Sequence, residues 1–596
     1  MTNKKHIYPI GIVGNCSYLS YIDKNANVSW QCWPYFDSSF IFGGMLDKNK
    51  GGQFSITPNS ANFTSKQQYI QNTNILETTF ECSDGIFKVI DFAPRFSIYE
   101  RFHKPLMLFR KIELIEGTPR IKVQCNPVGE YGRTKASPEL GSNHIKYLGL
   151  KSDVRLTTNI AKSKIISSSE LILTENKYLV LSWGIPLEAP LESTFESFYR
   201  KTKTYWRNWV ERSSIPNFAQ NQVIRSSLLL KLHQFEDTGA IIASGTTSLP
   251  EYPNSSRNWD YRYCWIRDSY FTLSALTKIG HFTEAEAYAH YLQEIASKNP
   301  ETIQPVYKID GTSEIPETEI DLDGYLGNKP VRIGNLAYLQ IQNDVYGQII
   351  LSLLPLYCDS RVSNFSTKPS LQLIHKLLNS ILDKMNNTDA GIWEYRNIKQ
   401  KHTATYLFHW AGGNAAKKIA VHYNDKEMQI KSERVIKLAS ENIENCFQDE
   451  HNFYSVAQES LDINASEILL ITMNYLKENP EKALLHLGKI EELLKTKDDL
   501  IFRYKSVDDF GDTHATFLIC GFWYAEALAC LNKLDRAQEV FYKLAKHTNH
   551  LGIFSEDISP KDGSQWGNFA QTYSHVGLIN AAFRISSKLD KMPFET

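Results

Sequence analysis

Glu394 stands in Gly391-Ile-Trp-Glu-Tyr-Arg396, with an aromatic ring on each side and an arginine two positions on. A carboxylate held against rings is poorly solvated, which is the setting of a general acid. Taken by itself, the hexapeptide reads more readily as a helix-end glutamate with its head in water. A second acidic block, Leu551-Gly-Ile-Phe-Ser-Glu-Asp-Ile-Ser559, is followed by Gly567-Asn-Phe-Ala-Gln-Thr-Tyr-Ser-His575. Glu556 there could be a base aimed at a water, although a solvated acidic loop is the plainer reading of that window alone. Inverting hydrolysis of a glycosidic bond needs acid and base carboxyls about 6.5 to 9.5 Å apart. Glu394 and Glu556 qualify only if the fold brings their loops to one rim.

A third stretch, Arg257-Asn-Trp-Asp-Tyr-Arg-Tyr-Cys-Trp-Ile-Arg-Asp268, mixes arginine, aspartate, tryptophan and tyrosine too densely for a simple core. It suits a pocket that must be flat, apolar and hydrogen-bonding at once. Arg267 and Asp268 could grip two hydroxyls through charge-assisted hydrogen bonds, with Trp259 and Trp265 as stacking faces. The competing reading is a buried ion pair that locks a helix start. Asn335, Gln340, Gln342 and Asp344 after Pro330, and Arg503-Tyr504 before Asp508 and Asp509, are weaker candidates. Ordinary polar loop residues explain them at least as well.

The elements that must position these residues change character along the chain. Up to residue 192, Val28–Cys32, Asp84–Asp91, Leu106–Phe109 and Tyr178–Ser182 are short apolar runs between Gly, Pro, Asn and Asp. They predict an antiparallel β-sandwich. Over 193–219, Phe195, Phe198, Tyr199, Tyr205 and Trp206 recur at helical spacing, which predicts a linker with a helix. From 220 to 596 helix dominates, as in Val223–Leu232, Leu336–Leu354, Leu371–Met385, Ile463–Leu476, Pro480–Leu494, Thr516–Leu531 and Asp535–Lys546. Pro480 suits a first helical position and Asp535 an N-cap. At ordinary helix and loop lengths this span holds about twelve helices, enough for six hairpins closed into a double-layered barrel.

Composition narrows the function. With 42% hydrophobic and 22% charged residues, the 596-residue chain is globular, and a formal charge of −1 disfavours nucleic-acid binding. Nine cysteines without CxxC spacing argue against a disulfide scaffold or structural zinc. His409, His514 and His575 match no zinc motif. No apolar run reaches membrane-spanning length and no signal peptide is read, so the expectation is a cytoplasmic protein without membrane or nucleic-acid partners.

Read in order, GNCSYLSYIDKNANVSWQCWPYFDSS, TTSLPEYPNSSRNWDYRYCWIRDSYFTLSAL, PVRIGN, GIWEYR, TFLICGFW, LGIFSEDISPKDG and GNFAQTYSHVGLINAA resemble glycoside hydrolase family 15. The likeness is to its bacterial and archaeal glucoamylase-like group, which also includes glucodextranases and some trehalases. The resemblance implies an N-terminal antiparallel β-sandwich plus an all-α (α/α)6 barrel, and inverting, exo-acting hydrolysis without a cofactor or metal. It implies Glu394 as general acid and Glu556 as general base. Arg267 and Asp268 would hold the terminal glucose, with Trp393 and Arg503 at further pocket positions. Asn335, Gln342 and Asp344 would form the wall, and a sandwich loop carrying Trp33, Phe36 and Asp37 would approach the site. The expected substrate is an α-1,4-linked gluco-oligosaccharide, with trehalose or α-1,6-glucans as alternatives. A non-catalytic carbohydrate-binding protein is the alternative of another class. Phe408-His-Trp-Ala-Gly-Gly-Asn414 and His514 depart from the family pattern and bear on the substrate subclass.

Overall fold

A computed structural model describes residues 5–361 and 370–589. Its N-terminal part is antiparallel throughout. One sheet has eight strands in the order Ser137–Leu140, His144–Leu148, Val154–Thr158, Lys177–Trp183, Met107–Gly117, Gly85–Phe92, Leu76–Cys82 and Phe63–Tyr69. Opposite it lie four strands, Ile10–Gly14, Leu19–Asp23, Val28–Cys32 and Phe40–Phe42. A three-stranded sheet of Leu171–Ile172, Arg120–Asn126 and Gln53–Pro58 adjoins them through the Asn27–Ser55 bridge. Alternation along each strand decides what faces what. Val89, Leu108, Leu179 and Leu181 join Trp30, Phe42, Phe54 and Val123 in the main core. Ile90, Phe109, Tyr178 and Val180 point the other way. That outer face is covered by the linker helix, whose Phe195, Phe198 and Tyr199 pack on it. Burial on both faces is why the run Tyr178–Ser182 lacks polar alternation.

A short helix, α1 (Lys162–Ile166), lies within the sandwich sequence, and the linker helix is α2 (Leu191–Glu211). Twelve further helices follow among the described residues. They are α3 (Gln220–Leu232), α4 (Arg267–Lys278), α5 (Phe282–Lys298), α6 (Asp344–Cys358), α7 (Leu371–Lys384), α8 (Thr403–Tyr423), α9 (Lys426–Glu444), α10 (Leu469–Thr472), α11 (Pro480–Leu494), α12 (Leu518–Cys530), α13 (Leu534–Ala545) and α14 (Thr572–Leu589). Packing runs from α4 to α6, α8, α10, α12, α14 and back to α4, which closes an inner ring. The partners α5, α7, α9, α11, α13 and α3 lie against it. The expected six-hairpin barrel is therefore present.

The Gly-Gly in the departing stretch 408–414 has a packing cause. A Cβ on Gly347 of α6 would sit 2.0 Å from the Phe408 carbonyl oxygen, and one on Gly412 would sit 2.6 Å from the Gly347 Cα. The backbones of α6 and α8 thus touch, and only glycine fits.

Several expected boundaries are corrected. Leu336–Leu354 is not one helix. A 3-10 turn spans Leu336–Leu339, the chain then extends, and α6 begins at Asp344. The Asn335 side chain accepts the Ala337 N–H, and the extended segment reaches toward Glu394, to which Gln340 is bonded. Ile463–Leu476 is reduced to a 3-10 turn, Ala465–Ile468, and the single turn of α10. Thr516-Phe517 is a strand ahead of α12. Asp535 lies in the first turn of α13, whose N-cap is Lys533. Pro480 does stand at a first helical position.

Sandwich and barrel share buried polar contacts. Arg262 pairs with Asp260, both side chains being fully buried. Arg262 also donates to the Ser38 carbonyl at 2.7 Å and the Tyr131 hydroxyl at 3.2 Å. Trp30 Nε1 donates to the Gly245 carbonyl at 2.7 Å. Residues 6–8 brace the hairpin that carries Glu556: the Tyr8 hydroxyl donates to the Gly567 carbonyl at 2.9 Å, and Gln565 N–H to the His6 carbonyl at 2.9 Å.

Candidate active site

The 257–268 stretch enters α4 through a short strand, Cys264–Trp265, paired with Val306–Tyr307. Arg267 and Asp268 occupy the first turn of α4, where a carboxylate complements the helix dipole. Arg267 Nε donates to Asp268 Oδ1 at 3.2 Å. Its Nη1 donates to the Ile392 carbonyl at 2.8 Å and to Glu394 Oε1 at 3.2 Å. Burial pushes the Asp268 carboxyl up to about 6, against the pull of Arg267. The ion pair thus locks the helix start, as the competing reading has it, and Arg267 also faces Glu394.

Glu394 lies in a turn, not at a helix end. Its N–H donates to the Gly391 carbonyl at 3.1 Å, and its own φ is 66°. A left-handed glutamate is costly and persists only when its surroundings over-determine it. They do so here. Trp265 Nε1 donates to Glu394 Oε1 at 2.5 Å, Arg267 shares that oxygen, and Gln340 Nε2 holds the Glu394 carbonyl at 3.0 Å. Trp265 is therefore a buried, hydrogen-bonded support for Glu394, with its ring edge-on to Tyr261 at 5.2 Å, and not the free stacking face expected.

Glu556 sits on the strand Ser555–Ile558, between Thr516–Phe517 and Gln565–Phe569. Its Oε1 accepts the Tyr261 hydroxyl at 2.9 Å and its Oε2 the Asn568 N–H at 3.2 Å. A Cβ on Gly567, whose φ is +73°, would meet the Glu556 Cβ at 2.6 Å, so this turn needs glycine. Burial, then the charge of Glu251, pushes the Glu556 carboxyl up to about 7, with Arg503 opposing. Glu394 and Glu556 are thus held by the two ends of one aromatic pair: Trp265 on Glu394, and Tyr261 on Glu556.

Oxygens of Glu251, Glu556 and Asp557 all lie within 4.8 Å of one another, the grouping among the described residues most able to hold a metal ion. Arginine already supplies positive charge there: Arg503 Nη2 lies 3.5 Å and Arg257 Nε 3.9 Å from Glu251. Both Asp557 carboxylate oxygens lack a hydrogen-bond partner, and burial with Glu556 nearby pushes that carboxyl well up.

The wall residues are partly together. Asn335, Trp393 and Arg503 line one pocket with Glu394. The Arg503 guanidinium lies 5.7 Å from the Trp393 ring centre. Asp344 is fully buried at the start of α6, accepts Gln348 Nε2 at 2.7 Å, and is pushed up to about 7 by burial and Asp389. Gln342 is buried beside Gln340, to which it donates at 3.3 Å. Trp33 is elsewhere. It packs in the sandwich against Tyr18 and Trp183, at 5.2 and 6.1 Å, so its expected place at the site is corrected. Asp37 faces Arg262, whose charge opposes the upward push of burial on its carboxyl. The sandwich loop therefore supports the 257–268 stretch from behind. His409 and His575 are structural: His409 bonds the Asn343 carbonyl, and His575 accepts the Phe554 N–H and bonds Ser226. Tyr261 and Glu251 were missed. Tyr261 lies in the richest block of the sequence, but a phenol among many rings carries no sign that its partner is a glutamate on another loop.

With this geometry in hand, likeness to known proteins can be stated. Residues 3–172 match the family described as "Trehalase-like, N-terminal". The chain is 30% identical over 593 residues to a trehalase of Thermoplasma volcanium, covering 98% of this chain and 94% of that one. It is 31% identical to trehalase 2 of Sulfolobus acidocaldarius, covering 94% and 96%. A bacterial glucoamylase solved with acarbose shares the fold, with a TM-score of 0.68 over 98% of this chain and 95% of that one at 15% identity. No helix among the described residues is long and apolar enough to cross a membrane. Residues 217–583 match "Glycosyl hydrolases family 15", more than half of the chain, and the protein belongs to that family of glycoside hydrolases.

Proposed function

We propose that the protein is an inverting α,α-trehalase, in place of the α-1,4-glucan hydrolase first expected. What carries this reading is likeness along the whole length, sandwich included, to proteins named trehalase. In the reaction one glucose of trehalose sits against Arg267 and Asp268, and the other beyond Glu394. Glu394 donates its proton to the bridging oxygen as the C1–O bond breaks. Glu556 takes a proton from a water that attacks C1 from the opposite face. The attacked ring leaves as β-glucose and the departing ring as α-glucose. Tyr261 fixes the base, Trp265 and Arg267 fix the acid, and neither carboxylate bonds the other, which suits a water standing between base and sugar.

Trehalose, maltose and isomaltose assayed side by side, with anomers followed by NMR, test this. Trehalose should be much the best substrate, and α- and β-glucose should appear at equal initial rates. Glu394→Gln should cost at least roughly 10²-fold in kcat by removing acid transfer. A marked preference for maltose would overturn the trehalase reading, and two α anomers would overturn inversion.

A further inference from the structure

Asp508, Asp509 and Phe510, in the irregular segment 505–514 between Tyr504 and the strand Thr516–Phe517, line the pocket that Glu394 faces, a lining in which Arg267 and Asp268 take no part. This segment is tied at three points. Asp508 pairs with Arg257 and accepts the Tyr504 hydroxyl at 2.5 Å, and Arg257 also donates to the Gly511 carbonyl at 3.1 Å. Asp509 Oδ2 accepts the N–H groups of Arg396 and Asn397 at 2.6 and 3.0 Å, so it grips the loop that carries the acid. The Phe510 ring stands edge-on to Trp259 at 5.0 Å, with the Arg396 guanidinium 5.1 Å from its centre. Arg396 in turn lies 4.9 Å from the Trp259 ring centre and bonds Glu317 at 3.2 Å. The pocket beneath is lined by the rings of Trp259, Tyr261 and Trp393 and by Glu251 and Arg503, together with Glu394.

We propose that residues 505–514 form a strap across the leaving-sugar side, anchored by Asp508 and Asp509 and filled by Phe510, which restricts hydrolysis to disaccharides. The proposal rests on the trehalase reading for its preferred substrate and adds the residues that set substrate length. The three ties reach two separate stretches, 257–259 and 396–397, so a ring extended by a further glucose would have to break contacts on both. A disaccharide leaves them intact. The Asp509 anchor also lies two and three residues past Glu394, so a strap forced open would loosen the acid loop. Rejection of longer substrates should therefore appear in kcat as well as KM.

The test uses the full chain and two substrate pairs: trehalose with the trisaccharide carrying one more α-1,4-glucose on one ring, and maltose with maltotriose. The terminal-glucose site accepts only an unextended ring, so in each trisaccharide the extension falls under the strap. The wild type should prefer the disaccharide at least tenfold in kcat/KM. Phe510→Ala should shrink that preference at least fivefold while the preferred disaccharide loses less than that; Asp509→Ala, on the other anchor, should shrink it as well, with kcat on the disaccharide also falling because the loop that carries Glu394 loses its tie. Thermal midpoints confirm folding of each variant, and either folded variant suffices. A wild type that takes trisaccharide and disaccharide equally, or folded variants with unchanged preference, would overturn the strap. If maltose is cleaved and trehalose is not, the trehalase reading fails, and the strap stands or falls on maltose against maltotriose.

Discussion

In the proposed reaction Glu556 takes a proton from water, which it can do only while ionised, and its surroundings oppose ionisation. Burial and the charge of Glu251 raise its carboxyl to about 7, against Arg503 and the hydrogen bonds from Tyr261 and Asn568; Asp557 and Tyr8 face it as well. The ionised form predominates above that value, so kcat/KM should fall as pH drops through about 7. Glu251→Gln removes one negative charge and frees Arg503 to face the base. Both changes favour ionised Glu556, so the acidic limb should move to lower pH. A pH profile of kcat/KM reads this directly, and a limb that stays in place or moves up would show that Glu251 does not govern the base. Asp557 was legible only as the neighbour of Glu556. Its unpartnered oxygens depend on strand geometry that no window of sequence displays.

The loops and strands that carry these residues are borne by the barrel helices, of which α6 and α8 meet backbone to backbone. Gly347→Ala would put a methyl 2.0 Å from the Phe408 carbonyl oxygen. Backbone cannot yield as a side-chain tip does, so the loss should reach at least the ~1–3 kcal/mol of ordinary overpacking. Urea unfolding would measure it, and a change within error would mean the two helices can part. The same region shows how sequence reading works and fails. The period from Leu371 to Lys384 gave α7 correctly, because its apolar stripe is uninterrupted. Leu336–Leu354 was misread, since Leu336 and Leu339 keep a helix-like three-residue step while both stand exposed, at 37% and 65%. Hydrophobic rhythm records burial against a core and cannot distinguish a rim. Arg267 and Asp268 stood out as charge at the mouth of an apolar helix, but a sugar grip and the buried ion pair that the fold displays look the same in sequence. Trp33 was not legible, because a tryptophan in a sandwich core and one in a sugar pocket look alike.

Across the molecule, sandwich and barrel are joined through the same stretch that holds the acid and base. Arg262 reaches Ser38 and Tyr131 in the sandwich, while its partner Asp260 accepts the Gly334 N–H at 3.1 Å and offers its carbonyl to Asn335 at 3.2 Å. Arg262→Ala would strand a fully buried carboxylate, at a cost of about 3–5 kcal/mol. It should also loosen the pocket wall, lowering the thermal midpoint and kcat/KM together. Full activity at a reduced midpoint would separate support from catalysis. The brace of residues 6–8 on the hairpin 555–569 sets an order of assembly. Tyr8 must wait, unpaired, for a partner 559 positions later, so the hairpin that carries Glu556 gains its brace only once both ends of that span have been made.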